Sequence, residues 1–245
     1  AMAKRALCLM LALLLAALLP HSAPPQTKPP PFDAIEQRIA SMTLEEKVGQ
    51  LYLVKSNPFF IDGIIHTYKP AGYVLHSMDF LLQTPFSLKG TLARYQSQSK
   101  LPLLLAVDEE GGKVVRASAN KSIRKEPFQG PQALLKEGGL HRVRKDAEEK
   151  SKLLLSLGIN LNFAPVCDVS TNKNDYIFDR CIGLDALGTA DYVKEVLQAM
   201  KGAGIGHSLK HFPGYGPNID THKHPAIDKR PLLQLKGCDL IPFQA

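Results

Sequence analysis

Residues 101–107 are apolar almost throughout and run straight into Asp108, Glu109 and Glu110. A short apolar run of this kind reads as a parallel strand covered on both faces. Carboxylates massed at its carboxyl end mark that end as the place for polar chemistry. The arrangement recurs. Residues 50–54, 71–75, 161–166 and 206–211 are further strand candidates, with Asp168 after the fourth and Lys210-His211 at the fifth.

Helical patterns separate the strands. Val193, Val196, Leu197 and Met200 stand at i, i+3, i+4 and i+7, with Thr189 placed to cap and Gly202 or Gly204 to stop. Residues 146–157 read as a helix ending at Gly158, and residues 32–42 as another. Thr43 and Glu46 have capping-box spacing, so a third helix starts there. Repeated alternation predicts an α/β fold on a parallel sheet. A closed barrel and an open doubly wound sheet both satisfy alternation. Polar residues after several different strand ends favour a (β/α)8 TIM-like barrel, incomplete here, with about five of its eight strands assignable.

The ends of the chain read differently. Lys4-Arg5, an apolar run over residues 6–19 and small residues up to Ala23 predict a signal peptide over residues 1–23, hence an exported protein, or a membrane-anchored one if uncleaved. Residues 24–31 are Pro-rich and read as a stiff linker, which leaves 32–245 for the barrel. The net charge of +7 includes Lys4 and Arg5, and no basic stripe interleaves with aromatics, so nucleic acid is not expected as a partner. Beyond the leader, Cys167, Cys181 and Cys238 show no C-x-x-C spacing, which argues against a zinc or redox motif. His207, His211, His222 and His224 fit no metal-ligand spacing, so no metal and no cofactor are expected.

Six stretches, in chain order, resemble glycoside hydrolase family 3. Residues 42–51 look like its opening segment, and Val107-Asp108-Glu109-Glu110-Gly111-Gly112 with Arg116 like its D-x-E-G-G strand end. Residues 162–169 (NFAPVCDV), Arg180 to Asp185, Lys210-His211-Phe212-Pro213-Gly214 and residues 239–243 (DLIPF) follow. Cys181 and Ile182 depart from the family's R-S-F-G-x-D. Asp220-Thr221-His222 resembles the element that sets the β-N-acetylglucosaminidases apart from the β-glucosidases within the family. Its loop is one residue shorter than the usual form, and Tyr215 stands where a second His is common.

The resemblance implies that His222 is the acid/base, paired with Asp220, and that Asp108, Arg116, Arg180, Lys210 and His211 bind the sugar. Glu109, Glu110 and Asp168 are read as structural. An imidazole with an ordinary pKa near ~6.5 suits proton transfer around neutrality. Two residues apart in an extended loop, Asp220 and His222 would point the same way. The expected activity is retaining, exo-acting removal of N-acetylglucosamine from cell-wall fragments or chitin-type oligosaccharides. The resemblance puts the nucleophile on a later strand, so these residues alone are expected to be inactive. Two other readings stay open: a phosphorolytic relative, since an imidazole does not repel phosphate as a carboxylate would, and a sugar-binding barrel without catalysis.

Overall fold

The computed structural model of the protein describes residues 32–245, so the signal-like segment and the Pro-rich stretch lie outside the described residues. Helix α1 (Phe32–Ser41) belongs mostly to a separate unit and is described by itself: ten residues, none of them buried.

From Ser41 onward the chain alternates strand and helix. Helix α2 (Leu44–Gly49) opens on the expected capping box: Thr43 Oγ1 accepts from Glu46 N at 3.2 Å and Glu46 Oε2 accepts from Thr43 N at 3.0 Å. Strands β1 (Leu53–Lys55), β2 (Gly72–Leu75) and β3 (Leu104–Val107) follow, with helices α3 (Ile61–Tyr68), α4 (Ser77–Phe80) and α5 (Pro85–Gln98) between them. Helix α6 (Pro131–Leu157), strand β4 (Leu161–Asn162), helix α7 (Ala186–Ala203), strand β5 (Gly206–His207) and helix α8 (Leu232–Gly237) complete the run. Among these residues no helix is long and apolar enough to cross a membrane.

The five strands are all parallel and their spatial order is β1-β2-β3-β4-β5. That order decides between the two architectures left open above. A doubly wound sheet reverses its strand order at a switch point, whereas strands that neighbour one another in chain order form the wall of a barrel. The wall is not closed among the described residues.

Period-2 alternation sorts the strand side chains. Tyr73, Leu75, Leu105 and Val107 are fully buried and pack under the helices with Leu88, Leu92, Leu154, Leu157 and Val193. On the other face Ala106 is buried and Leu104, the first residue of β3, is 44% exposed, so the strand is covered on both faces except at its start. Three boundaries also differ. The first strand begins three residues later than residue 50. Helix α6 starts at Pro131 rather than near 146, because the chain bends at Gly138 and Gly139 and resumes, which breaks the periodic pattern. Helix α7 is capped by Asp185, whose Oδ1 accepts from Gly188 N at 2.8 Å, while the Thr189 hydroxyl turns back to the Leu184 carbonyl. Gly204, at φ +81°, ends it as expected.

Candidate active site

The carboxyl ends of β3, β4 and β5 bring together groups far apart in the chain. Glu110 lies just past β3 and is 8% exposed. Its Oε1 accepts from Arg180 Nη2 at 2.7 Å, and its Oε2 from Arg180 Nε at 3.0 Å. Lys210 Nζ reaches the same Oε1 at 2.6 Å and Asp108 Oδ1 at 2.6 Å. Burial pushes the Glu110 carboxyl up, but the hydrogen bonds from Arg180 and the Lys210 charge outweigh it and leave it below the ordinary carboxylate value. Burial likewise opposes the Arg180 charge, and Glu110 more than offsets it.

The chain of contacts continues through His211. Arg180 Nη2 stands 3.0 Å from His211 Nε2, and His211 Nδ1 stands 2.7 Å from Asp168 Oδ2. An arginine can only donate, so Nε2 accepts and Nδ1 carries the hydrogen, donated to Asp168. Asp168, 1% exposed, also accepts from His211 N at 3.2 Å and, on its other oxygen, from Tyr215 N at 2.6 Å.

Local structure explains why these side chains converge. Glu109 is fully buried and its Oε2 accepts from the Arg116 and Ala117 N–H groups at 2.9 and 2.7 Å, which folds the loop after β3 back on itself. Gly111 holds φ +101° there, and a Cβ would run into the Gln129 carbonyl. The turn Phe178–Arg180 is tied to α6 by Gln132 Nε2, which donates to the Phe178 carbonyl at 2.7 Å. Gly214, at φ +128°, lets the chain after Lys210 and His211 pass against the Asp239 carboxylate.

Asp220 and His222 meet as the sequence predicts, but by another route. His222 Nδ1 is 2.8 Å from Asp220 Oδ1, and the same oxygen accepts from His222 N at 3.1 Å. Lys223 N donates to the Asp220 carbonyl at 3.1 Å, so the pair sits in a turn rather than an extended loop. An aspartate that bonds the backbone two residues on favours that turn. The hydrogen bond from His222 is the main reason the Asp220 carboxyl is held below its ordinary value. The imidazole side chain is 75% exposed, and its Nε2 is free to face a substrate.

Of the sequence-predicted residues, Asp108, Arg180, Lys210 and His211 share one network, and Asp220 and His222 form the dyad. Arg116 stands apart, with Nη1 donating to the Val115 carbonyl at 2.9 Å. Glu110 and Asp168 hold the network together from within, in keeping with the structural role expected of them: Arg180 and Lys210 rest on Glu110, and His211 on Asp168. Tyr176 carries no sequence signal as a site residue, and Tyr215 only that it stands where a second His is common. Their rings lie 5.4 Å apart, and Tyr176 is pushed up first by burial and then by its hydrogen bond to Asp220. No three His, Cys, Asp or Glu side chains among the described residues are gathered as a metal would require.

Residues 43–245 match the family described as Glycosyl hydrolase family 3 N terminal domain. The chain belongs to glycoside hydrolase family 3. Among its curated relatives are proteins named Beta-hexosaminidase. One from Xanthomonas campestris pv. campestris (strain B100) is 36% identical over 179 residues, 71% of this chain and 53% of the relative. Another, from Xylella fastidiosa (strain M12), is 36% identical over 179 residues, 71% of this chain and 52% of the relative. The family 3 chain thus spans about half the length of the curated relatives it matches.

Solved structures agree with this assignment. M tuberculosis LpqI superposes with a TM-score of 0.74 at 28% identity, covering 84% of this chain and 59% of that one. A family 3 beta-N-acetylglucosaminidase from Paenibacillus sp. str. FPU-7 gives 0.71 at 28%, covering 83% and 40%.

Proposed function

We propose that this family 3 chain carries the acid/base and the sugar-holding side chains of an exported, retaining, exo-acting β-N-acetylglucosaminidase. Terminal N-acetylglucosamine on cell-wall fragments or chitin-type oligosaccharides is the substrate, and the nucleophile comes from outside the residues described above. One observation carries the reading. The Asp220–His222 turn is joined through Tyr215 to the network Asp168–His211–Arg180–Glu110–Lys210–Asp108, so a proton donor and a set of hydroxyl-binding groups form one unit.

Retaining hydrolysis needs a proton on the leaving oxygen as the glycosidic bond breaks and a nucleophile on the opposite face. His222 gives that proton from Nε2, while Asp220 accepts the Nδ1 hydrogen, fixes the ring's orientation and stabilises the imidazolium. In the second half the same imidazole takes a proton from the attacking water. Lys210, with one hydrogen left, and Arg180 through Nη1 donate to sugar hydroxyls, and Asp108 accepts from them. Arg116, whose Nη1 donates to the Val115 carbonyl rather than into the network, is the proposed donor to the acetamide carbonyl. The β-hexosaminidase names of the curated relatives support the choice of sugar.

The test is substrate preference in the natural full-length protein. A site built to bond an acetamide leaves buried groups unpaired when that group is missing, which can cost ~10⁴-fold in rate. The aryl β-N-acetylglucosaminide is therefore expected to exceed the aryl β-glucoside by orders of magnitude in kcat/KM. Comparable values would overturn the assignment.

A further inference from the structure

We propose that Tyr215 is a positioning residue for the acid/base dyad, fixing the Asp220–His222 turn to the sugar-holding network through its phenol hydroxyl. The inference rests on the acid/base reading of His222 given above. Tyr215 is anchored at both ends. Its N–H donates to Asp168 Oδ1 at 2.6 Å, and its ring stands edge-on to His211 at 5.6 Å. It is 9% exposed and packs with Val166, Ile177 and Cys181. The root of the side chain is therefore locked to the same carboxylate that orients His211.

The hydroxyl reaches the other way and lands on both neighbours of Asp220. It donates to the Ile219 carbonyl at 3.1 Å and accepts from Thr221 N at 2.8 Å. The Thr221 hydroxyl lies 3.0 Å away. A phenol has one hydrogen to give and room to accept two. With the hydrogen spent on Ile219, the Thr221 hydroxyl must donate, and the phenol's capacity is full. Its three bonds all fall on the two residues that flank the proposed dyad carboxylate. A residue needed only for packing would have no use for that pattern.

The chemistry makes this placement matter. His222 is 75% exposed at its side chain, so the imidazole is aimed through Asp220 and the turn that carries it. Removing one oxygen frees the turn while the ring and the Asp168 bond remain. A misplacement of about 1 Å can cost on the order of 10²-fold in a proton-transfer step. The loss appears where the leaving group needs a proton and not where it departs readily as an anion.

The experiment compares Tyr215→Phe, His222→Ala and the unaltered natural full-length protein on an N-acetylglucosamine disaccharide and on the nitrophenyl glycoside. Tyr215→Phe is expected to lower kcat on the disaccharide about 10- to 100-fold with KM little changed. The first step on the nitrophenyl glycoside should stay within about twofold. If His222→Ala shows this split and Tyr215→Phe does not, the role of Tyr215 is refuted and the acid/base reading stands. If His222→Ala shows no split, the acid/base reading itself fails and the Tyr215 role fails with it. Amide hydrogen exchange gives a readout independent of turnover. Loss of one hydrogen bond should speed exchange at Thr221 N–H roughly fivefold in Tyr215→Phe, and an unchanged rate would overturn the proposal.

Discussion

Glu110→Gln is the sharpest probe of what holds the network together. Glu110 has a side chain only 3% exposed, against 12% for Arg180 and 15% for Lys210. Glutamine keeps the volume, and its single oxygen can replace Oε1, which now receives both Arg180 Nη2 and Lys210 Nζ. Its amide nitrogen then faces Arg180 Nε, donor against donor, where Oε2 had accepted at 3.0 Å. Lys210 is left with Asp108 alone, and Arg180 loses its carboxylate partner. Removing one partner of a buried ion pair costs about 3–5 kcal/mol. For a domain of this size each kcal/mol lowers Tm by about 2–4 °C, so the expected drop is roughly 6–20 °C.

Asp62→Asn is the control. It removes an ion pair to Arg94 whose partners are 54% and 46% exposed, and exposed pairs contribute about 0–1 kcal/mol. Acid titration adds a second signature. Arg180 and Lys210 hold the Glu110 carboxyl below its ordinary 4.5 in the fold, against the upward push of burial. Its contribution is therefore complete above that value and is lost as pH falls through the lowered one. Unaltered protein and Glu110→Gln should converge in stability toward strongly acid pH. If Glu110→Gln melts no lower than Asp62→Asn at neutral pH, Glu110 is not the keystone described here.

Two further outcomes follow from other parts of the fold. Cys167 and Cys181 are buried free thiols, and burial pushes Cys167 up to about 12, so neither should alkylate in the native state. Cys238, partly accessible, should label first, and mass spectrometry showing Cys167 labelled as fast as Cys238 would contradict that packing. Arg230 bonds Asp228 through Nε and Nη2 and also grips Asp239 and the Gly214 carbonyl. Hydrogen bonds from Arg230 lower the Asp228 carboxyl from 3.8 to about 2. Its contribution is present above 3.8 and lost as pH falls toward 2, so pepsin cleavage between residues 214 and 230 should rise over that window. Asp228→Asn should be cleaved readily at the upper end of the window and change little below it, and an unaltered pH dependence in that variant would assign the opening to other carboxylates.

The parallel sheet was legible because it is written in local terms, as apolar runs that end in polar clusters. Its strand order was not. Alternation is blind to whether successive strands neighbour one another, and only the pairing of β1 through β5 resolves it. The start of helix α6 is hidden from the sequence because Gly138 and Gly139 interrupt a single helical course with backbone angles no periodic pattern anticipates. Asp108, Arg180, Lys210 and His211 were recognisable from the motifs that carry them. The importance of Glu110 and Asp168 was not, because it arises from contacts across three strand ends: Arg180 is 70 residues from Glu110, and His211 is 43 from Asp168. Tyr215 shows the same limit at short range. Its role depends on a loop folding back so that a phenol meets the peptides six and four residues ahead.

Leaving-group dependence in His222→Ala tests most directly whether His222 is the proton donor. In the natural full-length protein the variant should cleave N-acetylglucosamine disaccharides about 10²–10⁴-fold more slowly. A nitrophenyl glycoside should still react in its first step and accumulate as a glycosyl-enzyme. Azide, which needs no general base, should then restore turnover and release a β-glycosyl azide. Equal losses on good and poor leaving groups, with no rescue by azide, would contradict the account and leave His222 a surface residue beside Asp220.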